Sequence, residues 1–215
     1  MPSWPIHIAL AKKLNKELNL GDDFIIGNIL PDVLNGYIIK NPSVIINDHL
    51  THLNEDEDLK EYIKSHNLKD PIVLGYASHI LTDRYFNTYF HNHHVIKKDD
   101  KLMAVLKDNT LFYDADIKPW QIKHHDFNLY SIKLTNDGLL GDKINAVNAY
   151  DSIKLINEFP ITKDDISKAT DKINEFIGAY GEYDKNKYKM FTEEELDKLY
   201  QSCYEYLVKY LKEII

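Results

Sequence analysis

Cysteine is nearly missing from this 215-residue chain: Cys203 stands alone, which excludes an intrachain disulfide and any cysteine-rich metal site. Arginine is scarcer than lysine to the same degree. Of 26 basic residues only Arg84 is an arginine. Eight glycines and seven prolines are too few for a collagen-like or low-complexity chain. No apolar run approaches the roughly 20 residues that a membrane-spanning helix needs. The first residues show no basic stretch followed by an apolar core, so no secretory signal is expected and the reading is cytoplasmic. A net charge of -8 argues against an extended nucleic-acid surface, although bound cations can still give an acidic protein a grip on phosphate. Histidine is absent after position 125. All ten fall in the first part of the chain, at His7, His49, His52, His66, His79, His91, His93, His94, His124 and His125. Any chemistry is therefore expected there.

Hydrophobic spacing predicts an all-α helical bundle, one domain over residues 1–215. Residues 6–19 repeat apolar positions at intervals of three and four. A short apolar segment from Phe24 is expected to end as a helix near Leu30, with Pro31 and Asp32 in the following turn. A loop is expected at 41–55 and a charged helix at 56–66. Asp70 and Pro71 suit an N-cap and first helical position, opening the most apolar helix, from Ile72 to about Phe90. A short helix is expected at 100–107 and irregular chain from 109 to 142. Three histidine-free helices follow, at about 142–158, 163–179 and 193–214, the last with Thr192 and Glu195 spaced as a capping box. Its stripe of Tyr200, Cys203, Tyr204, Leu207 and Leu211 is expected to face the core. No segment alternates as a strand should.

The strongest chemical signal is His79 and Asp83. Four residues apart on a helix, they share one face about 6 Å apart. That helix is otherwise apolar, and burying an imidazole and a carboxylate without partners costs several kcal/mol. A divalent metal ion or a direct His–Asp hydrogen bond would compensate. Other donors lie nearby in sequence. Asp32 follows Pro31. His7 stands between two isoleucines, and His49 and His52 are three apart. His91, His93 and His94 follow the apolar helix, but His94 lies roughly 16 Å along it from Asp83 at 1.5 Å per residue. His124, His125 and Asp126 come after Pro119 and Trp120, and His66 is expected at the surface.

In this order the motifs resemble the zinc-dependent phospholipase C and P1 nuclease group. The likeness runs over residues 2–128 and is carried by Ile6-His7, Gly27-Asn28-Ile29-Leu30-Pro31-Asp32, Thr51-His52 and Gly75 through Asp83. It implies a mostly helical fold and phosphoester hydrolysis with two or three zinc ions, other divalent metals being possible. By the resemblance, Asp32, His52, His79 and Asp83 would hold one ion. Asp83 would bridge to a second, shared with His7. The group also ligates through its own N-terminal amine, for which Pro2 is the expected position after loss of Met1. A further ion would draw on His91, and on either His124 with Asn128 or His125 with Asp126. His49 joins the candidates through its closeness to His52.

Clustered divalent cations lower the pKa of a bound water toward 7 and neutralise phosphoryl oxygens. Asp32 or Asp83 is expected to orient that water and take its proton. Arg84 points about 100° away from Asp83 on a helix and is expected to be structural. Loops at 33–50 and 108–142 would shape the substrate pocket, leaving lipid, nucleotide and sugar phosphates open. The lack of a basic amphipathic surface favours a small soluble phosphoester. Two other readings remain at this point. One is an HD-type phosphohydrolase built on the adjacent His125 and Asp126. The other is a non-catalytic helical module that binds a metal or a partner.

Overall fold

The computed structural model describes residues 2–42, 45, 56–145 and 161–214. Among these are seven α-helices: α1 (Trp4–Leu18), α2 (Asp22–Leu34), α3 (Asp56–Ser65), α4 (Pro71–His94), α5 (Pro119–Asn136), α6 (Lys163–Ile177) and α7 (Glu193–Lys212). Strands β1 (Val95–Lys98), β2 (Lys101–Val105) and β3 (Leu111–Phe112) lie between α4 and α5. Helix accounts for 63% of the structure, so the fold is largely α. No described helix is long and apolar enough to cross a membrane.

Helix α4 starts as its sequence requires. Asp70 accepts a hydrogen bond from the Ile72 N–H at 2.9 Å, and Pro71 needs no donor at the first position. From Ile72 to Asp83 every residue is buried, so neighbours must cover all its sides. Helix α2 covers one side at very short range. A Cβ on Gly27 would stand 2.0 Å from the Ile72 carbonyl oxygen, and one on Gly75 would stand 2.1 Å from that of Phe24. Only hydrogen at both positions lets the two backbones touch. Helix α1 buries Ile6 through Ala11 and Leu14. Helix α7 buries Leu196, Leu199, Tyr200, Cys203, Leu207 and Leu211, the stripe read from the sequence, with Tyr204 half-buried beside it. Its capping box forms: the Thr192 hydroxyl accepts from the Glu195 N–H.

Several boundaries differ from the sequence reading. Helix α2 does not stop before Pro31 but carries it and Asp32 through to Leu34. The Asp32 carbonyl then accepts from the N–H groups of Tyr37 and Ile38, which closes the helix end. Residues 101–105 are a strand, not a helix. They form the centre of an antiparallel sheet, with Val95 opposite Ala104 and Ala104 opposite Phe112. Asp99 and Asp100 make the tight turn with φ of 49° and 57°, the left-handed conformations of a two-residue hairpin loop. The region expected to be irregular contains α5, where Pro119 opens an 18-residue helix. The helix expected at 142–158 lies mostly outside the described residues.

Candidate metal centre

Three helices deliver four buried polar side chains to one place. His7 comes from α1, Asp32 from the last turn of α2, and His79 and Asp83 from the middle of α4. All are at most 4% exposed. Ligand atoms of His7, Asp32 and His79 lie within 4.8 Å of one another. Asp83 faces both rings, with Oδ1 3.2 Å from His7 Nε2 and Oδ2 3.5 Å from His79 Nε2. The two rings stack, centroids 3.7 Å apart and 6° from parallel.

The close crossing of α2 and α4 orients His79. It brings the Asn28 carbonyl to 2.6 Å from His79 Nδ1. A carbonyl can only accept, so Nδ1 carries the hydrogen, and in the neutral ring Nε2 holds the lone pair. That lone pair points at the Asp83 carboxylate. Two electron-rich groups in that position call for a positive charge, either a proton or a metal ion. His7 Nε2 stands against Asp83, and its Nδ1 makes no hydrogen bond among the described residues. A ring N–H held by a backbone carbonyl, leaving the other nitrogen to ligate, is how protein metal sites fix an imidazole.

Burial raises the pKa of Asp83, but the imidazoles of His79 and His7 outweigh it and hold the carboxyl well below its usual range. Burial and the neighbouring His79 push His7 down, against the pull of Asp83 and Asp32. Metal binding requires an ionised carboxylate and a neutral imidazole, the directions in which Asp83 and His7 are shifted.

The remaining candidates are distributed differently. His49 and His52 lie outside the described residues. His91 is exposed on α4, and its pKa is lowered by desolvation and by Lys123. His124 lines a cleft together with Asp32, and desolvation with the Lys123 charge pushes it down to about 4. His125 donates from Nε2 to the Lys187 carbonyl at 3.1 Å, and the fully buried Asp126 accepts from the N–H groups of Lys189, Met190 and Phe191. That pair fastens α5 to the 189–191 segment. His94 is likewise committed, between the Val105 carbonyl and the Glu195 carboxylate. Arg84 lines a different surface cavity with Tyr85, Tyr89 and Tyr206. Among the described residues, the group arranged to hold a metal is His7, Asp32 and His79, and it includes none of His91, His124 or His125.

A cleft of about 250 Å³ leads to this group. Asp32 and Tyr37 form one wall, His124, Phe127 and Asn128 another, and residues Pro2 to Trp4 a third. The Ser3 hydroxyl pins that last segment to α5, at the Phe127 carbonyl and the Ser131 hydroxyl. Asp32 therefore belongs both to the buried donors and to the wall that a ligand would meet.

The sequence reading placed Gly27, Asn28 and Gly75 in the motifs but gave them no role; Asn28 acts through its backbone, and the two glycines admit it. Lone glycines inside two apolar helices were the available signal. Comparison with protein-family models, curated proteins and solved structures finds no match.

Proposed function

We infer that the chain is a metal-dependent phosphoester hydrolase of the zinc-dependent phospholipase C and P1 nuclease type, acting on a small soluble phosphoester. One observation carries this reading: nitrogen and oxygen donors from three helices meet within 4.8 Å in the core, at the end of a cleft. Two imidazoles and two carboxylates are a donor set that suits zinc. His7, Asp32, His79 and Asp83 would hold the metal, which supplies a water acidic enough to ionise near neutral pH and a positive field for the phosphoryl oxygens.

The protein side of the reaction follows from the positions of these groups. Asn28 holds His79 in the tautomer that presents Nε2. Asp83 is taken up by the two imidazoles, so the carboxylate at the cleft wall, Asp32, is the one to accept a proton from the attacking water. The water oxygen bonds to phosphorus, the ester P–O bond breaks, and the departing oxygen takes up the proton that Asp32 received from the water. The burial of the donors excludes bulk water from the charges that act.

The experiment is a hydrolysis assay of zinc-supplemented protein on p-nitrophenyl phosphate, bis(p-nitrophenyl) phosphate, a nucleotide and a short-chain phosphatidylcholine. Turnover of a phosphoester that stops on chelation and in His79→Ala supports the reading. Bound zinc without any turnover contradicts it and leaves a structural metal module.

A further inference from the structure

Helix α4 runs on past His79 and Asp83: Asn87 follows Asp83 by one turn, and His91 by two, turned about 80° around the helix axis from Asp83. Lys123 reaches Asn87 from α5. Its Nζ donates to Asn87 Oδ1 at 3.0 Å and stands 4.5 Å from the Phe90 ring centroid and 5.8 Å from that of Phe127. The residue is 4% exposed. Buried lysines are rare, because desolvating an ammonium costs several kcal/mol unless something repays it. Burial pushes the Lys123 pKa down, while an amide oxygen, two ring faces and the carboxylate of Asp83 one turn below favour its charged form.

The position of this charge matters more than its stability. Phe127 and His124, beside Lys123 on α5, line the cleft that ends at Asp32. His91 stands one turn above Asn87 on α4, and the ammonium field is felt at both histidines. Like charges repel strongly where water is excluded, so an ammonium at this spot opposes a divalent ion held by His91 and His124. The same charge attracts an anion entering the cleft.

We propose that the Lys123 ammonium, packed behind Phe127, is the cation that draws the phosphoryl group of a substrate to the His124 side of the cleft, where it stands in place of a further metal ion. The proposal rests on the hydrolase reading, and it makes Lys123 a positioning residue rather than a catalytic one. A side-chain cation in this role acts without exchange and without metal supply, and it fits a site loaded by fewer ions than its histidine count suggests.

The test is calorimetric titration of zinc-loaded protein with inorganic phosphate, with zinc per chain measured on the same samples. Lys123→Met is expected to keep its zinc and to weaken phosphate binding about tenfold or more, the scale of a charge-assisted contact. Lys123→Arg is expected to restore most of it. The double variant His91→Ala/His124→Ala, at two exposed positions, is expected to lose no zinc, and this readout does not depend on how Lys123→Met folds. Unchanged phosphate affinity in a zinc-replete Lys123→Met protein overturns the proposal and leaves the hydrolase reading standing. Loss of a zinc equivalent in the double histidine variant also overturns it, because a metal then sits at that end. Failure of the zinc-loaded wild-type chain to bind phosphate at all overturns the proposal and counts against the hydrolase reading as well.

Discussion

His7 and His79 stack ring on ring, 3.7 Å between centroids, although they come from different helices and both turn Nε2 toward Asp83. Two imidazolium charges at that spacing would repel each other, whereas one cation facing both Nε2 atoms and the carboxylate would satisfy all three. Removing either side of the arrangement therefore removes the site. His79→Ala and Asp83→Asn are each expected to weaken zinc binding by more than about 100-fold, since even the loss of a supporting partner costs 10- to 100-fold. Competition against a chromogenic chelator measures this. Wild-type affinity in both variants would contradict it.

The contact between α2 and α4 gives a prediction about stability. A methyl group at position 75 meets the backbone of Phe24 and Asn28 rather than a yielding side chain. Gly75→Ala is expected to cost at least about 3 kcal/mol in urea unfolding, the upper end of overpacking effects. It should also weaken zinc binding, because the displaced Asn28 carbonyl no longer holds His79. A loss below about 0.5 kcal/mol would show that the helices do not meet as described.

A pH dependence is expected far from the metal group. Glu195 accepts from His94 Nε2 at 2.7 Å and from the Tyr89 hydroxyl at 2.9 Å. Burial raises its pKa, but the hydrogen bonds and charge of His94, with Tyr89, bring it below the usual value. A carboxyl depressed in the folded state stabilises the protein above its unfolded pKa, and the benefit is lost as pH falls through the folded value. Glu195→Gln is thus expected to cost about 1.5–3 kcal/mol near neutral pH, the range for hydrogen bonds to a charged group. The gap from wild type should narrow below a pH of about 4. A gap that stays constant down to acid pH would contradict the assignment.

Asp126 separates two chemical readings. Its carboxylate is occupied by three backbone N–H groups at 2.7–3.2 Å, and its neighbour His125 by a carbonyl. Asp126→Asn is expected to lower stability by at least about 2 kcal/mol, because a buried charge-assisted network is broken. Zinc content should not change in this variant or in His125→Ala. Loss of metal in either would favour the HD-type arrangement.

Sequence spacing located the centre of this protein but not its frame. Asp70-Pro71 and the four-residue step from His79 to Asp83 are local signals, and local signals survive folding. His7 and Asp32 could be joined to them only through the resemblance, because three separate helices must pack before their atoms come within 4.8 Å. Pro31 misled, since the end of α2 was expected before it, yet the helix continues for another turn. The hairpin at 95–105 was hidden by short strands whose outer residues are lysines and whose turn is Asp99-Asp100 rather than a glycine pair. Helix α5 buries residues on several sides, including Lys123 and Asp126, so it shows no single apolar stripe. Lys123 was invisible for the same reason: one lysine among many acquires meaning only from what packs around it.

The central claim is that a metal ion joins His7, Asp32, His79 and Asp83. Elemental analysis of the purified chain, after zinc loading and removal of excess, tests it most directly. At least one tightly held equivalent is expected in the wild-type protein, and less than a tenth of that in the His79→Ala/Asp83→Asn double variant at matched folding. A wild-type chain that takes up no zinc, or a double variant that keeps it, would contradict the account.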